Sequence, residues 1–139
     1  MAQKTLFDGS KTNGRVQVLF TITGAATETL DASALSDADS SLNQQLQIER
    51  IRWNSSSTVT GISIEYAAVT TNFSVMKLVG SGHWYHDLAI KPTHYDAAYG
   101  DADEENGDIA VTTTGSGETT VILDLRKLTG YAGRSDQSN

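Results

Sequence analysis

The sequence predicts an all-β protein: a β-sandwich, jelly-roll-like, with about seven or eight antiparallel strands in a single domain. The first observation is that apolar residues occupy every second position in three separate segments. Successive side chains of a strand point to opposite faces, so each set lines one buried face. Turn residues separate the segments, and the abundant threonine favours strands over helices. The three sets are Val16, Val18, Phe20 and Ile22; Ile62, Ile64 and Tyr66; and Val121, Leu123 and Leu125.

Length and composition indicate one soluble domain. A chain of 139 residues buries roughly two thirds of its unfolded surface, so it folds without a disulfide or a metal. It contains no cysteine, and no apolar run reaches the ~20 residues of a membrane helix. We expect an N-terminal arm at residues 1–14, a β-sandwich domain at 15–129 and a C-terminal tail at 130–139. The tail is expected to be irregular, and the arm is expected to be either irregular or ordered only against a partner.

The first half of the domain is expected to contain two strands joined by a connector. Residues 15–24 form the first strand, and residues 45–53 form the second. The connector, residues 27–43, carries scattered apolar residues among serine and aspartate. We expect one helical turn there, capped by Asp31 or Ser33, because these side chains accept hydrogen bonds from a helix N-terminus.

The second strand breaks the alternation of apolar and polar residues. Leu46 and Ile48 share one face, whereas Ile51 and Trp53 share the other. A β-bulge near residues 49–50 would restore a single apolar face, because a bulge inserts one extra residue. The alternative is a strand covered on both sides, for example by a neighbouring subunit.

The second half is expected to contain the remaining strands in sequence order. Residues 59–68 pair with the second strand as a hairpin. A long polar loop from Pro92 to Gly107 precedes the last hairpin, which turns at residues 115–117. The other expected strands are residues 73–79 and 83–90, followed by the two arms of that last hairpin, residues 109–114 and 119–128.

The charge is acidic and unevenly distributed. The formal net charge is −7, from 10 basic and 17 acidic residues, which argues against binding nucleic acid by neutralising phosphates. Both chain ends carry a small positive excess that suits an acidic partner such as a neighbouring copy. The alternative is ordinary solvated charge. One stretch is acidic without any lysine or arginine: Asp96, Asp101, Asp103, Glu104, Glu105 and Asp108.

The densest group of functional side chains runs from His83 to Asp87. A metal site is disfavoured, because His83 and His86 are three residues apart and face opposite ways on a regular strand. Trp84 and Tyr85 suit a sugar-stacking platform or a protein contact, since aromatic rings are enriched at interfaces. Ordinary core and surface positions are the remaining alternative.

Two further carboxylate patterns are weak. Asp101, Asp103 and Glu105 alternate as in a calcium loop, but Asn106 stands at the glycine position and Thr112 at the final glutamate position. Glycoside hydrolysis needs two carboxylates facing each other across a cleft. Glu49 and Glu65 lie in strands predicted to be adjacent, but neighbouring arginines make ion pairing the simpler account. We therefore predict a protein that is not an enzyme, with no catalytic residue, no cofactor and no metal.

Apolar residues on both faces of the strand at 73–79 indicate either a central strand or a strand covered at an interface. Met76 and Leu78 lie on the face opposite Phe73, Val75 and Val79, and we expect both to be exposed. The candidate interface residues are therefore Met76, Leu78, Trp84 and Tyr85.

An ordered series of segments between residues 30 and 128 resembles small virion proteins of tailed phages, especially marine and cyanobacterial ones. In that family a short L-x-G-x-G segment precedes a G-D-I-x-x-T-T strand, and a final strand ends in Arg-Lys. The matching segments are residues 46–56 (LQIERIRWNSS), 61–67 (GISIEYA), 78–84 (LVGSGHW), 107–115 (GDIAVTTTG) and 121–127 (VILDLRK).

The resemblance implies a β-sandwich structural protein of the virion. The leading hypothesis is a capsid decoration (cement) protein, made in the host cytoplasm and located on the capsid surface. Its expected partners are the major capsid protein and further copies of itself, with a trimer preferred because capsids offer local threefold sites. No nucleic acid or membrane partner is expected. The alternatives are a neck or tail adaptor, a fibre-base component, or a carbohydrate-binding module that uses Trp84 and Tyr85.

Overall fold

The protein is described by a computed structural model that covers residues 2–9, 14–38, 44–68, 72–90, 105–128 and 131. Within these ranges, no helix is long and apolar enough to cross a membrane. The described elements are β1 (Ala2–Asp8), β2 (Arg15–Thr23), β3 (Thr27–Leu30), a 3₁₀ helix (Ala32–Ala34), β4 (Leu46–Ser55), β5 (Val59–Ala68), β6 (Phe73–Leu78), β7 (Ser81–Ile90), β8 (Glu105–Gly115) and β9 (Glu118–Lys127).

The strands form two antiparallel sheets, so the predicted all-β sandwich is confirmed. Sheet A has the strand order β1-β2-β9-β4-β7, and sheet B has the order β3-β8-β5-β6. Consecutive strands alternate between the sheets from β2 onward, except for the β5–β6 pair. This alternation places the first and last strands of the alternating set side by side, as in a two-sheet jelly roll. β1 extends sheet A beyond β2.

Two predicted hairpins are wrong. β4 and β5 lie in different sheets, as do β8 and β9, so each short turn is a corner that carries the chain from one layer to the other. The β8–β9 corner depends on Gly115 and Gly117, whose φ angles are 91° and 98°. A Cβ atom on Gly117 would collide with Ser56 and Thr58. Turn residues fit a hairpin and a corner equally well, which explains the error.

The core lies between the two inner sheet faces. Every residue in the three period-two sets that predicted the fold is at most 2% exposed. Tyr66 is the largest of the fully buried side chains, and its hydroxyl donates a hydrogen bond of 2.8 Å to the Leu46 carbonyl. This bond satisfies the polar end of a ring whose apolar body fills the core.

The predicted bulge in β4 is confirmed. Ile48 lies opposite Leu125 of β9, but Arg50 lies opposite Asp124, so Glu49 is the extra residue. The same register break separates β4 from β7. Beyond the bulge Ile51 points inward again and is fully buried, and Trp53 packs against the core from a partly buried position.

The described residues of the predicted arm and connector contain more regular structure than expected. Residues 2–8 form an edge strand. The sequence did not predict this strand, because its apolar Leu6 and Phe7 are adjacent and do not alternate with polar residues. In the structure they are 44% and 48% exposed. The connector contains β3 and the 3₁₀ helix, which Asp31 caps as predicted by accepting a hydrogen bond from the backbone N–H of residue 33. Tyr131, placed in the polar tail, is 3% exposed and pairs with Ala38.

Candidate functional site

Leu78 and Met76 face the core, so the expectation that both are exposed is wrong. The β5–β6 register places them opposite Ile62 and Ile64, and directly paired residues lie on the same face of a sheet. Leu78 is 7% exposed, and Met76 packs against the core from a partly buried position because β6 is an edge strand. The exposed apolar residue at this end is Val79, at 68%.

Trp84 also packs against the core. It lies opposite the buried Ile51 in the β4–β7 register and is partly buried. A sugar-stacking platform needs an exposed ring, and Trp84 does not present one. Tyr85 pairs with Arg50 through the backbone, but its side chain falls outside the described part of the chain.

The described residues bring no group of three or more His, Asp or Glu side chains together. Two of the calcium-loop candidates, Asp101 and Asp103, lie outside those residues. Glu49 and Glu65 belong to different sheets, so they are not neighbours across a hairpin. Glu49 instead makes ion pairs inside sheet A.

The outer side of sheet A carries a cluster of arginines that the sequence did not reveal. We call it the arginine face: Arg15 on β2, Arg50 and Arg52 on β4 and Arg126 on β9, together with the carboxylates Glu49 and Asp124. Glu49 lies 2.9 Å from Arg15 and 3.6 Å from Arg126. Asp124 lies 3.4 Å from Arg50 and 3.9 Å from Arg52.

The arginine face is positive and open to solvent. Four guanidinium groups face two carboxylates, a formal excess of two positive charges on a protein whose net charge is −7. The four arginine side chains are between 37% and 59% exposed. A shallow depression of about 370 Å³ lies beside two of these arginines, lined by Phe7, Arg15, Val16, Gln17, Arg50, Asp124 and Leu125.

A second polar cluster lies at one end of the sandwich, around Lys127. The Lys127 side chain is 1% exposed. Its Nζ donates to Asp8 Oδ1 and lies 2.7 to 2.9 Å from Gly9 O, Ser36 O and Ser36 Oγ. The Tyr131 ring centroid lies 5.2 Å from the same nitrogen. This Lys127 cluster joins β9 to the end of β1, the segment after the 3₁₀ helix and the C-terminal segment.

The Lys127 cluster fixes the ionisation of Asp8. Burial acts to raise the pKa of Asp8, but hydrogen bonds from Lys127 and Ser36 outweigh it, so the pKa is lowered from 3.8. The ionised carboxylate therefore contributes stability above the unfolded pKa, and this contribution is lost as the pH falls through the lower folded value.

Asp108 has the opposite behaviour. Burial raises the pKa of Asp108 from 3.8 to about 6, the hydrogen bond from the Ala32 N–H acts against this rise, and the negative charge of Asp31 adds to it. That hydrogen bond is 2.9 Å long. A raised folded pKa means that the neutral form stabilises the fold below pH 3.8, and this stability is lost as the pH rises through 6.

Replacing Lys127 by methionine is expected to lower the free energy of unfolding by about 3 to 5 kcal/mol, because the substitution leaves a carboxylate and three other oxygens without their buried partner. Urea unfolding measures the change. Lys77→Met is the control: Lys77 is exposed on sheet B, so its replacement should shift the value by less than about 0.5 kcal/mol. Equal effects of the two substitutions would contradict the assigned role of Lys127.

Asp108→Asn is expected to make stability less sensitive to pH, since asparagine keeps an oxygen for Ala32 but does not ionise. Relative to its own value at pH 4, the variant should lose about 1 to 2 kcal/mol less than the wild-type protein by pH 7.5. Unfolding curves across this range measure the difference. Glu118→Gln, at an exposed carboxylate, is the control and should leave the dependence of stability on pH unchanged. If the stability of Asp108→Asn changes with pH by the same amount as that of the wild-type protein, the role of Asp108 is refuted.

Comparison with known proteins identifies no relative. No protein-family model matches the chain, no curated protein matches it, and no solved structure matches it.

Proposed function

We propose that this chain is a structural protein of a phage virion, specifically a capsid decoration (cement) protein that binds the lattice of major capsid proteins and stabilises it. The observation that carries the proposal is the jelly-roll strand order of the two sheets. Viral capsid domains, lectins and cupins share this architecture, and a fold alone does not select among them. The resemblance to virion proteins of tailed phages favours the first.

The resembling segments coincide with the framework of the sandwich. Residues 46–56 and 121–127 lie in the centre of sheet A, and residues 61–67 and 107–115 lie in the centre of sheet B. Residues 78–84 run from the end of β6 in sheet B, through the corner, into the first residues of β7 in sheet A. The resemblance therefore concerns the strands that build both layers, which supports a shared architecture.

A decoration protein has to stay rigid while it spans a joint between capsid subunits. The close-packed core supplies this rigidity, because protein interiors pack as densely as organic crystals. The Lys127 cluster adds a polar tie between β9 and the end of the edge strand β1.

The attachment surface that we propose is the edge strand β1. Leu6 and Phe7 are large apolar residues exposed to solvent, and they take the role first given to Met76 and Leu78. An edge strand also presents unpaired backbone N–H and C=O groups that a partner can bind. Many copies on one particle would strengthen weak individual contacts through avidity.

Purified virions test the proposal by copy number. A decoration protein is expected at hundreds of copies per particle, because it follows the symmetry of the capsid lattice, whereas a neck or tail adaptor is present at about a dozen. Quantitative mass spectrometry or gel densitometry measures the number. About a dozen copies would favour the adaptor alternative, and absence from the particle would refute a virion role.

The same particles test the attachment surface. Adding back the variant Leu6→Ser with Phe7→Ser to particles that lack the protein should lower its occupancy. Val79→Ser is the matched control, since Val79 is more exposed still but lies at the far end of β6. Equal occupancy of the two variants would exclude β1 as the attachment surface.

A further inference from the structure

We propose that the arginine face of sheet A binds the acidic, tyrosine-containing stretch at residues 95–105 of a second copy of this chain. This inference goes beyond the proposed function and does not depend on it, because it concerns association of the purified protein with itself.

The arginine face gathers much of the positive charge of the molecule. It holds four of the ten basic residues of the chain, with two carboxylates between them. The rest of the chain carries six basic and fifteen acidic residues by the same count. An open positive surface on an acidic molecule attracts acidic surfaces, including those of other copies of the same chain, and this attraction orients the contact between copies.

The depression on the arginine face suits a segment that is both acidic and aromatic. Arg15 and Arg50 both contribute to its lining. Arginine binds carboxylates in a bidentate manner and stacks on aromatic rings. A segment with carboxylates and tyrosines therefore finds a partner for each kind of side chain.

The chain itself contains such a segment. Residues 95–105 have the sequence YDAAYGDADEE, with two tyrosines, five carboxylates and no basic residue. No lysine or arginine occurs between Lys91 and Arg126. The segment is thus the most acidic part of the sequence and matches the chemistry of the depression.

The ends of this segment favour a second copy over the same molecule. β7, which precedes the segment, is the edge strand of sheet A farthest from β1. The segment ends at Glu105, which opens β8 opposite Ala68 in sheet B, and sheet B lies behind sheet A as seen from the arginine face.

A polypeptide partner fits the arginine face better than nucleic acid does. Glu49 and Asp124 lie among the arginines, at 2.9 to 3.9 Å from them. These carboxylates would repel a continuous row of phosphates, whereas a peptide offers spaced carboxylates and neutral groups. The overall charge of −7 acts in the same direction.

The contact joins two different surfaces, so it is heterologous. Each copy offers one arginine face and one acidic segment, and repetition of the contact closes a ring when the rotation between copies allows it. A ring of three copies would suit the local threefold sites of a capsid lattice.

Charge reversal tests the proposal on the full-length purified protein. The face variant carries Arg15→Glu and Arg50→Glu, and the segment variant carries Asp101→Lys, Asp103→Lys and Glu104→Lys. We expect wild-type protein to self-associate, more weakly as salt rises. Each variant alone should raise the dissociation constant for self-association at least about tenfold. Sedimentation velocity or light scattering after size exclusion measures it.

Mixing the two variants separates a contact between copies from a contact within one chain. In the mixture the negative face of the face variant meets the positive segment of the segment variant. The unchanged arginine face of the segment variant also meets the unchanged acidic segment of the face variant, so association should return. A contact within one chain would be restored by combining all five substitutions in one molecule but never by mixing, and that result would overturn the proposal.

Controls keep each outcome decisive. Lys77→Glu reverses an exposed charge on sheet B, away from the arginine face, and should leave association unchanged. Arg15→Gln with Arg50→Gln removes the charge without adding carboxylates beside Glu49 and Asp124, so it replaces the face variant if that one does not fold. Monomeric wild-type protein, or association that neither variant weakens, would refute the proposal.

Discussion

The extra residue in β4 is the constraint on which the rest of the structure depends. β4 lies between β9 and β7 in sheet A, so its side chains contribute to both the inner and the outer face of the sheet. Without the bulge at Glu49, the alternation that buries Leu46 and Ile48 would turn Ile51 toward water. One added residue restores the inward face, because the period of a strand is two and a shift of one residue exchanges the faces.

The same bulge builds the surface of the molecule. Glu49 leaves the ladder and reaches Arg15 and Arg126, while Arg50 and Arg52 turn outward toward Asp124. The core and the arginine face are therefore two results of one register shift. This coupling connects the sandwich, which supplies a rigid part, to the charged surface that we propose joins one copy to the next.

Sequence reasoning succeeded where the signal was periodic. The three alternating sets predicted the sheets, and the broken alternation of β4 predicted its bulge. It failed where the same residues fit two geometries: turns served as corners instead of hairpins, and Leu78 faced inward because pairing with Ile62, not the pattern of β6 alone, sets its face. The burial of Lys127 could have been predicted, because it continues the alternating buried series Val121, Leu123 and Leu125.

Cross-strand nuclear Overhauser contacts between β4 and β9 test this account most directly. The account predicts contacts between Ile48 and Leu125 and between Arg50 and Asp124, with Glu49 lacking a partner of its own on β9. An uninterrupted register, with Glu49 opposite Asp124 and Arg50 opposite Leu123, would contradict it. In that case the inward face of β4 and the arginine face would both have to be abandoned.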